Sequence, residues 1–393
     1  MGASADVAKD DGGASSYRGD GKVDRESRSD ENKRRIAPER IEVIASVSQL
    51  AELLPEIESV DRVAIDTEAD SLHCYREKLC LLQVSLPGRD YIVDPLADVD
   101  FAPLGIALER KEIVLHGADF DLRLLRRGLN FTAQRIFDTM LAARLLGIRE
   151  FSLAALVKRY FGVELGKGSQ KANWARRPLS ARMLEYAMND THYLLPLVER
   201  LESQLKQFDR MDWLRQSCQR AVEQAAVERA RDKDDLWRIR GSGLLRGRAA
   251  AVLRALWQWR EKEAEAADRP PFHILQNHEL LNAAVSFASE KLPDYRHFSS
   301  RRRQAFREAA QSALQLSEEE WPVSLRRFGT RPSTGMIART EELRRRRDRR
   351  ARELDLEPAF IASRSTLEAI AADETCATTL LVPWQRELIG IKM

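Results

Sequence analysis

Apolar positions along the chain follow two patterns. Up to about residue 116 they come as short runs bounded by turn residues; beyond it they recur at helical spacing. The segment Ile41–Ile57 (IEVIASVSQLAELLPEI) reads as a short strand and then a helix. Strands are predicted over Val63–Asp66, Leu79–Ser85 and Tyr91–Asp94, with Pro87-Gly88-Arg89 turning the last two into a hairpin. A helix over Ala102–Arg110 leads to a fourth strand, Ile113–His116. No strand is expected after that. Phe120–Arg127, Thr139–Leu146 and Leu153–Tyr160 have the period of amphipathic helices. Pro178 marks a helix start, and one long helix is predicted from about Ser180 past Leu201. A mixed sheet followed by helices that cover it makes an α/β layered domain.

Residues from about 210 to 312 are helical by pattern, and helix resumes near Arg339. Between them, 316–338 contains Pro322, Gly329, Pro332 and Gly335 and reads as a linker. The two helical parts share a loose order: a basic helix, an acidic-to-proline break, then a shorter apolar helix. Residues 1–36 carry almost nothing apolar and cannot offset the entropy of ordering, so a disordered tail is expected there. The expected organisation is a tail (1–36), an α/β domain (37–210), a helical domain (211–315), a linker (316–338) and a second helical domain (339–393).

Composition adds limits. The 393 residues are 44% hydrophobic and 32% charged, enough for two or three domains with real cores. No apolar run approaches the roughly 18 residues that a membrane span needs. The N-terminus lacks the apolar segment of a signal peptide, and Asp6 breaks the myristoylation pattern. Cys74, Cys80, Cys218 and Cys376 are scattered without a C-x-x-C pair, as expected of reduced thiols in a cytoplasmic protein. A net charge of +3 does not by itself announce nucleic acid.

The chemistry concentrates in acids. Asp66 and Glu68 end the Val63–Ile65 run, two apart, hence on one face of a strand. Two such carboxylates either run out into a polar loop or repel each other until a cation sits between them. In VLHGADFDLRLL, Asp119 and Asp121 both stand where a helix N-terminus favours acids. In LEYAMNDTHYLL, Tyr186 and Asp190 are four apart on a helix face. Brought together, these carboxylates would be strongly destabilising without divalent cations. Their hard oxygens suit Mg²⁺ or Mn²⁺. Two such ions about 4 Å apart can hold the attacking and leaving oxygens of a phosphoryl displacement. Tyr186 would then position the attacking water and help take its proton, a task for which a phenol needs a lowered pKa. Nearby, Asp138 is expected to cap the helix after Phe137, His116 to end a strand without ligating, and Asp94 to sit in a turn before Pro95.

VAIDTEADSL, VLHGADFDLRLL, FDTMLAARLLG and YAMNDTHYLL together resemble the ribonuclease D family of 3′-to-5′ exonucleases, in the DEDD superfamily. The spacing Asp66-x-Glu68, Asp121, Tyr186-x-x-x-Asp190 is similar to the tyrosine subclass. The histidine subclass would want His where Glu185 stands. HGADFD also resembles the exonuclease subunit of the nuclear exosome, whose second Asp is the ligand, which selects Asp121. The resemblance spans about Ile41 to Phe208 and implies an α/β ribonuclease H-like domain, a mixed sheet covered by helices. It implies that Asp66, Glu68 and Asp190 hold one cation, and that Asp66 and Asp121 hold a second. GKGSQKANWARRPLS resembles the family's loop near the substrate entrance, where Lys167 and Lys171 would meet RNA and Trp174 would either stack on a base or, the favoured role, pack; Asn173 stands where the family usually has Asp.

LWRIRGSGLLRGRAAAVLRALWQWREKEAEAADRPPFHIL resembles the all-α HRDC module of helicases and ribonuclease D, through Trp237, Gly241, Leu253, Trp257, Trp259, Arg260 and Pro270-Pro271. There Arg238, Arg240, Arg246 and Arg248 would contact phosphates. The segment from Arg339 resembles a second such module, and its LRRRRDRRARE run is either a phosphate footprint or a solvated helix face. The family reading implies a cytoplasmic 3′-to-5′ exoribonuclease, favoured as a monomer. It would trim RNA 3′ ends, tRNA precursors among them, by two-metal-ion hydrolysis that releases nucleoside 5′-monophosphates. A DNA exonuclease of the same fold and a non-catalytic RNA-binding scaffold are the alternatives.

Overall fold

The run Leu79–Leu86, buried at every residue, lies at the middle of a six-stranded sheet in the computed structural model. The structure describes residues 42–166, 168–227, 235–323 and 333–391. The expected tail (1–36), Lys167 and the middle of the expected linker (324–332) lie outside the described residues. In chain order the strands are β1 (Glu42–Ile44), β2 (Arg62–Ala69), β3 (Leu79–Leu86), β4 (Arg89–Val93), β5 (Glu112–Leu115) and β6 (Arg135–Asp138). Their lateral order is β1-β4-β3-β2-β5-β6. β3 runs antiparallel to both of its neighbours, β2 and β4, whereas β1 pairs with β4, and β5 with β2 and β6, in parallel. The mixed sheet and the hairpin follow the sequence pattern. β6 does not: the expectation that strands stop after His116 is corrected by RIFD, which pairs with β5.

Helices α1 (Val47–Glu58), α2 (Ala102–Glu109), α3 (Asp119–Leu129), α4 (Thr139–Leu145) and α5 (Leu153–Phe161) fall close to their expected positions. α3 carries Asp119 and Asp121 in its first turn and Arg126 and Arg127 in its last, matching the helix dipole at both ends. The single long helix expected after Ser180 is two: α6 (Ala181–His192) and α7 (Leu194–Gln207), separated at Tyr193. Pro196 accounts for the break, since it has no N–H to give the His192 carbonyl. α6 starts at its Ser180 cap, whose hydroxyl accepts from the Met183 N–H, so Pro178 precedes the helix.

α8 (Met211–Ala226), assigned by sequence to the first helical domain, instead packs on α3, α4 and β6, and its Leu214, Cys218 and Ala225 join the core of the sheet domain. α9 (Gly247–Ala266), α10 (Pro271–Ile274), α11 (Asn277–Ala288) and α12 (Ser300–Leu314) build a separate core around Leu253, Leu256, Trp259 and Phe306. α13 (Thr334–Glu353), α14 (Pro358–Ile361), α15 (Arg364–Ala372), α16 (Ala377–Leu380) and α17 (Pro383–Ile389) follow. The loose pattern shared by the two helical parts is a structural repeat. Leu256, Arg260, Ala264, Asp268, Pro271, Ile274 and Leu280 recur as Leu343, Arg347, Ala351, Asp355, Pro358, Ile361 and Leu367 at one constant spacing. Asp268 and Asp355 both take left-handed backbone. Arg260 and Arg347 donate to the Leu275 and Ala362 carbonyls that follow the short helices, at 3.1 and 2.9 Å.

The two modules meet the sheet domain differently. The second shares its hydrophobic core: Trp384 stacks on Trp213 at 5.0 Å, and Arg210 donates to the carbonyls of Leu145 and Leu354. The first touches the loop between β2 and β3 through Tyr75, which packs against the edge of its core and bonds Glu261 and Asp268, and through Arg76, which pairs with Glu265. Among the described residues no helix is long and apolar enough to cross a membrane.

Candidate metal centre

Val63, Ala64 and Ile65 bury β2 in the sheet, and the strand then delivers Asp66 and Glu68, half-buried, to one face. α6 lies across that face and supplies Tyr186 and Asp190. It is pinned there by two bonds from its last turn: Ser85 with Thr191 at 2.7 Å, and His192 with Asp90 at 2.6 Å. Asp66, Glu68 and Asp190 each bring an oxygen to within 4.8 Å of the others. Asp121 enters from the first turn of α3, and the buried Thr67 hydroxyl donates to its Oδ1. It is outside the close trio but within electrostatic reach of all three.

Asp119 and Asp121 separate cleanly. The Asp119 side chain is 61% exposed and paired with Arg123, while Asp121 is 6% exposed and turned inward. The turn ahead of them is held by Asp138. Its carboxylate accepts from the N–H groups of Gly117 and Ala118, and also from Met140 and Leu141 as the cap of α4. His116 is held neutral by burial and shares a hydrogen bond with Thr139. Asp94 is more than a turn residue: Arg177 grips both its oxygens, at 2.7 and 2.6 Å.

Crowding acids in a desolvated place raises their pKa values. Burial first, then the charges of Asp121, Asp190 and Glu68, push Asp66 well above the usual carboxylate range. Burial and the charges of Asp190 and Asp121 raise Glu68 to about 9. Asp190 rises to about 7 by burial, with a hydrogen bond from Tyr186 pulling it back. Asp121 rises to about 6, restrained by Thr67. Tyr186 moves up as well, through burial and the charges of Asp190 and Glu68. The lowered pKa that proton removal by Tyr186 requires is not found here: burial and the neighbouring acids move the phenol the other way.

The loop before α6 is fixed by Arg177, which also donates to the carbonyls of Trp174 and Cys80. Trp174 is 1% exposed and packs near Tyr186, ring centroids 6.1 Å apart. Of the two roles open to it, the ring takes the packing one: it is core. Lys171 is exposed, and its carbonyl bonds His73. In the first module, Arg238 is committed to Asp235 and the Val323 carbonyl and lies over the Trp237 ring. Arg246 folds back on the carbonyls of Gly243 and Leu245, and Arg248 lies 4.0 Å from Glu290. Arg240 is exposed and has no acidic partner among the described residues. The basic run on α13 is only partly neutralised in place: Arg344, Arg346, Arg347 and Arg350 pair with acids, whereas Arg345, Arg349 and Arg352 are exposed and have no ion pair among the described residues. Thr67, Arg177 and the Asp138 clamp escape a reading by residue type; only register and distance reveal them.

Residues 41–206 match the model of a 3′-5′ exonuclease domain, and residues 249–288 match that of the HRDC domain. The exosome complex component 10 homolog of Drosophila melanogaster is 30% identical over 266 residues, covering 65% of this chain and 29% of that protein. Ribonuclease D of Zymomonas mobilis is 30% identical over 365 residues, covering 88% of this chain and 92% of that protein. The crystal structure of Escherichia coli RNase D, 22% identical, shares the fold with a TM-score of 0.69 over 89% of this chain and 96% of that one. The chain thus spans under a third of the exosome relative and nearly all of the ribonuclease D.

Proposed function

Because the chain belongs to the ribonuclease D family, we propose that it is a 3′-to-5′ exoribonuclease that removes nucleotides one at a time and releases nucleoside 5′-monophosphates. The observation that carries this reading is the convergence of Asp66, Glu68 and Asp190 within 4.8 Å, with Asp121 beside them. The donor set is all carboxylate oxygen, which suits Mg²⁺ or Mn²⁺, and its raised pKa values are those of a site lacking countercharge. Asp66, Glu68 and Asp190 would hold one cation, and Asp66 with Asp121 the second. When bound, such ions neutralise charge developing on the phosphate and make water more acidic.

The protein's own groups supply the positioning. Tyr186, protonated and bonded to Asp190, offers its O–H to the incoming water or phosphate and fixes its orientation. Gln170 bonds Tyr186, so the entrance loop reaches the same phenol. Substrates would be RNAs with a 3′ tail, tRNA precursors among them, engaged as a monomer in the cytoplasm. The described cysteines are all free thiols, which fits that compartment. Lys171 and Arg240 are exposed cations that could meet phosphates, as are Arg345, Arg349 and Arg352 on α13.

The test is digestion of a 3′-tailed tRNA and of matched DNA, with Mg²⁺, with Mn²⁺ and with chelator, resolved at single nucleotides. A metal-dependent ladder on RNA is expected. Asp66→Asn with Glu68→Gln should abolish it while RNA binding persists; trimming by that double variant would sink the proposal.

A further inference from the structure

Gln83 sits in the middle of β3, fully buried, with neither its Oε1 nor its Nε2 paired to any group. A buried, unpaired amide costs free energy that an apolar residue of the same size would not. Its apolar neighbours on the same face show what would pack there, since Leu81 two residues back and Ile92 directly opposite on β4 are both fully buried. Packing therefore does not explain a glutamine at this position.

Register does. Across the antiparallel β2–β3 pair, Gln83 stands directly opposite Asp66. Directly opposed residues send their side chains to the same face as near neighbours. α6 covers that face, and its Thr191 bonds Ser85, two residues along β3 from Gln83. The amide is thus bracketed by the strand that carries Asp66 and the helix that carries Asp190. It has no exposure, whereas those acids are half-buried, and it stands beside Asp66 on the neighbouring strand.

Resting on the two-cation reading above, we propose that Gln83 is a positioning residue for the carboxylate centre, its Nε2–H, unpaired in this structure, turning to donate to the Asp66 carboxylate once cations hold that group ionised. An amide suits this task because it orients an anion without adding charge. A lysine or arginine here would compete with the cations for Asp66, and a leucine would leave the carboxylate free to turn. Asp66 is the ligand that both cations would share, so its orientation controls both.

The experiment uses the full chain and measures Mn²⁺ binding by calorimetry without RNA, the thermal midpoint of the metal-free protein, and kcat and KM on tailed RNA. Gln83→Met keeps the volume and removes the amide. Its Mn²⁺ affinity is expected to fall by about ten- to a hundredfold, the usual effect of losing a partner of a ligand. Its metal-free midpoint should equal or exceed the parent's, and kcat should fall with KM unchanged. A lower midpoint with unchanged Mn²⁺ affinity would mean a packing role and overturn the proposal. Should Gln83→Met fail to fold, Gln83→Asn decides: its shortened amide should also weaken Mn²⁺ binding, and affinity within about twofold of the parent refutes it. A parent that takes up no Mn²⁺ overturns the cation reading itself, and Gln83 with it. A parent that binds, alongside a Gln83→Met variant that binds equally, overturns Gln83 alone.

Discussion

Tyr186 lies half-buried between Trp174 and Asp190, and both its burial and its acidic neighbours keep the phenol protonated. Tyr186→Phe should therefore lower kcat by about a hundredfold, the scale of a lost positioning contact. It should remove no limb from the pH–rate profile between pH ~6 and ~9, where an ordinary phenol does not titrate. A limb that vanishes with the hydroxyl would restore Tyr186 as a base. The acids make an opposite kind of prediction. Each has its pKa raised by folding, Asp121 to about 6, Asp190 to about 7 and Glu68 to about 9. The folded state then binds protons that the unfolded chain has released, so stability falls as pH climbs from about 4 through those values. The metal-free melting temperature should drop from pH ~5 to ~9, and Asp66→Asn with Glu68→Gln should flatten the drop. Parallel profiles would show that the centre carries no such strain. Asp-x-Glu and Tyr-x-x-x-Asp were legible in sequence because carboxylates two or four apart have a fixed geometry on a strand or helix. Gln83 and Thr67 were not, because their meaning depends on which residue a neighbouring strand or helix sets beside them.

At the scale of elements, boundaries follow local chemistry and errors follow its absence. The hairpin was legible from Pro87-Gly88, and Gly88 does take left-handed backbone there. β6 was missed because RIFD has only Ile136 and Phe137 between two charged residues, without the longer apolar run that marks the equally short β5. Its last residue, Asp138, was read correctly as a cap, yet half of its role lies across space. It accepts two N–H groups from the turn before α3 as well as two from α4, and so ties the helix that carries Asp121 to the neighbouring strand. Asp138→Ala should cost more than the ~1 kcal/mol of an ordinary cap, because two further buried donors lose their acceptor. Urea unfolding checks this, and a loss below about 1 kcal/mol would mean that the turn before α3 holds itself. Asp138→Asn, which keeps one accepting oxygen, should fall between.

At the scale of the molecule, the repeat explains both what sequence showed of the helical half and what it hid. Each module keeps the same buried arginine and the same left-handed aspartate, so the loose order of basic helix, proline break and apolar helix was visible. What was hidden is how each copy is used. In the first, Asp268 and Glu265 meet an exposed loop through hydrogen bonds and the Arg76–Glu265 pair. In the second, Asp355 meets Arg149 beside a continuous apolar core in which Trp384 packs on Trp213 and bonds Ser217. A boundary drawn at residue 211 therefore cuts α8 away from the core it completes, because period alone does not say which core an amphipathic helix joins. Trp384→Ala should then cost about 3–5 kcal/mol in urea unfolding of the sheet domain itself, as for a large aromatic lost from a core. Arg76→Ala removes one exposed pair and should cost no more than about 1 kcal/mol. Near-equal losses, or a sheet domain indifferent to Trp384, would mean that the second module is an appended unit like the first rather than part of the fold that holds the acids.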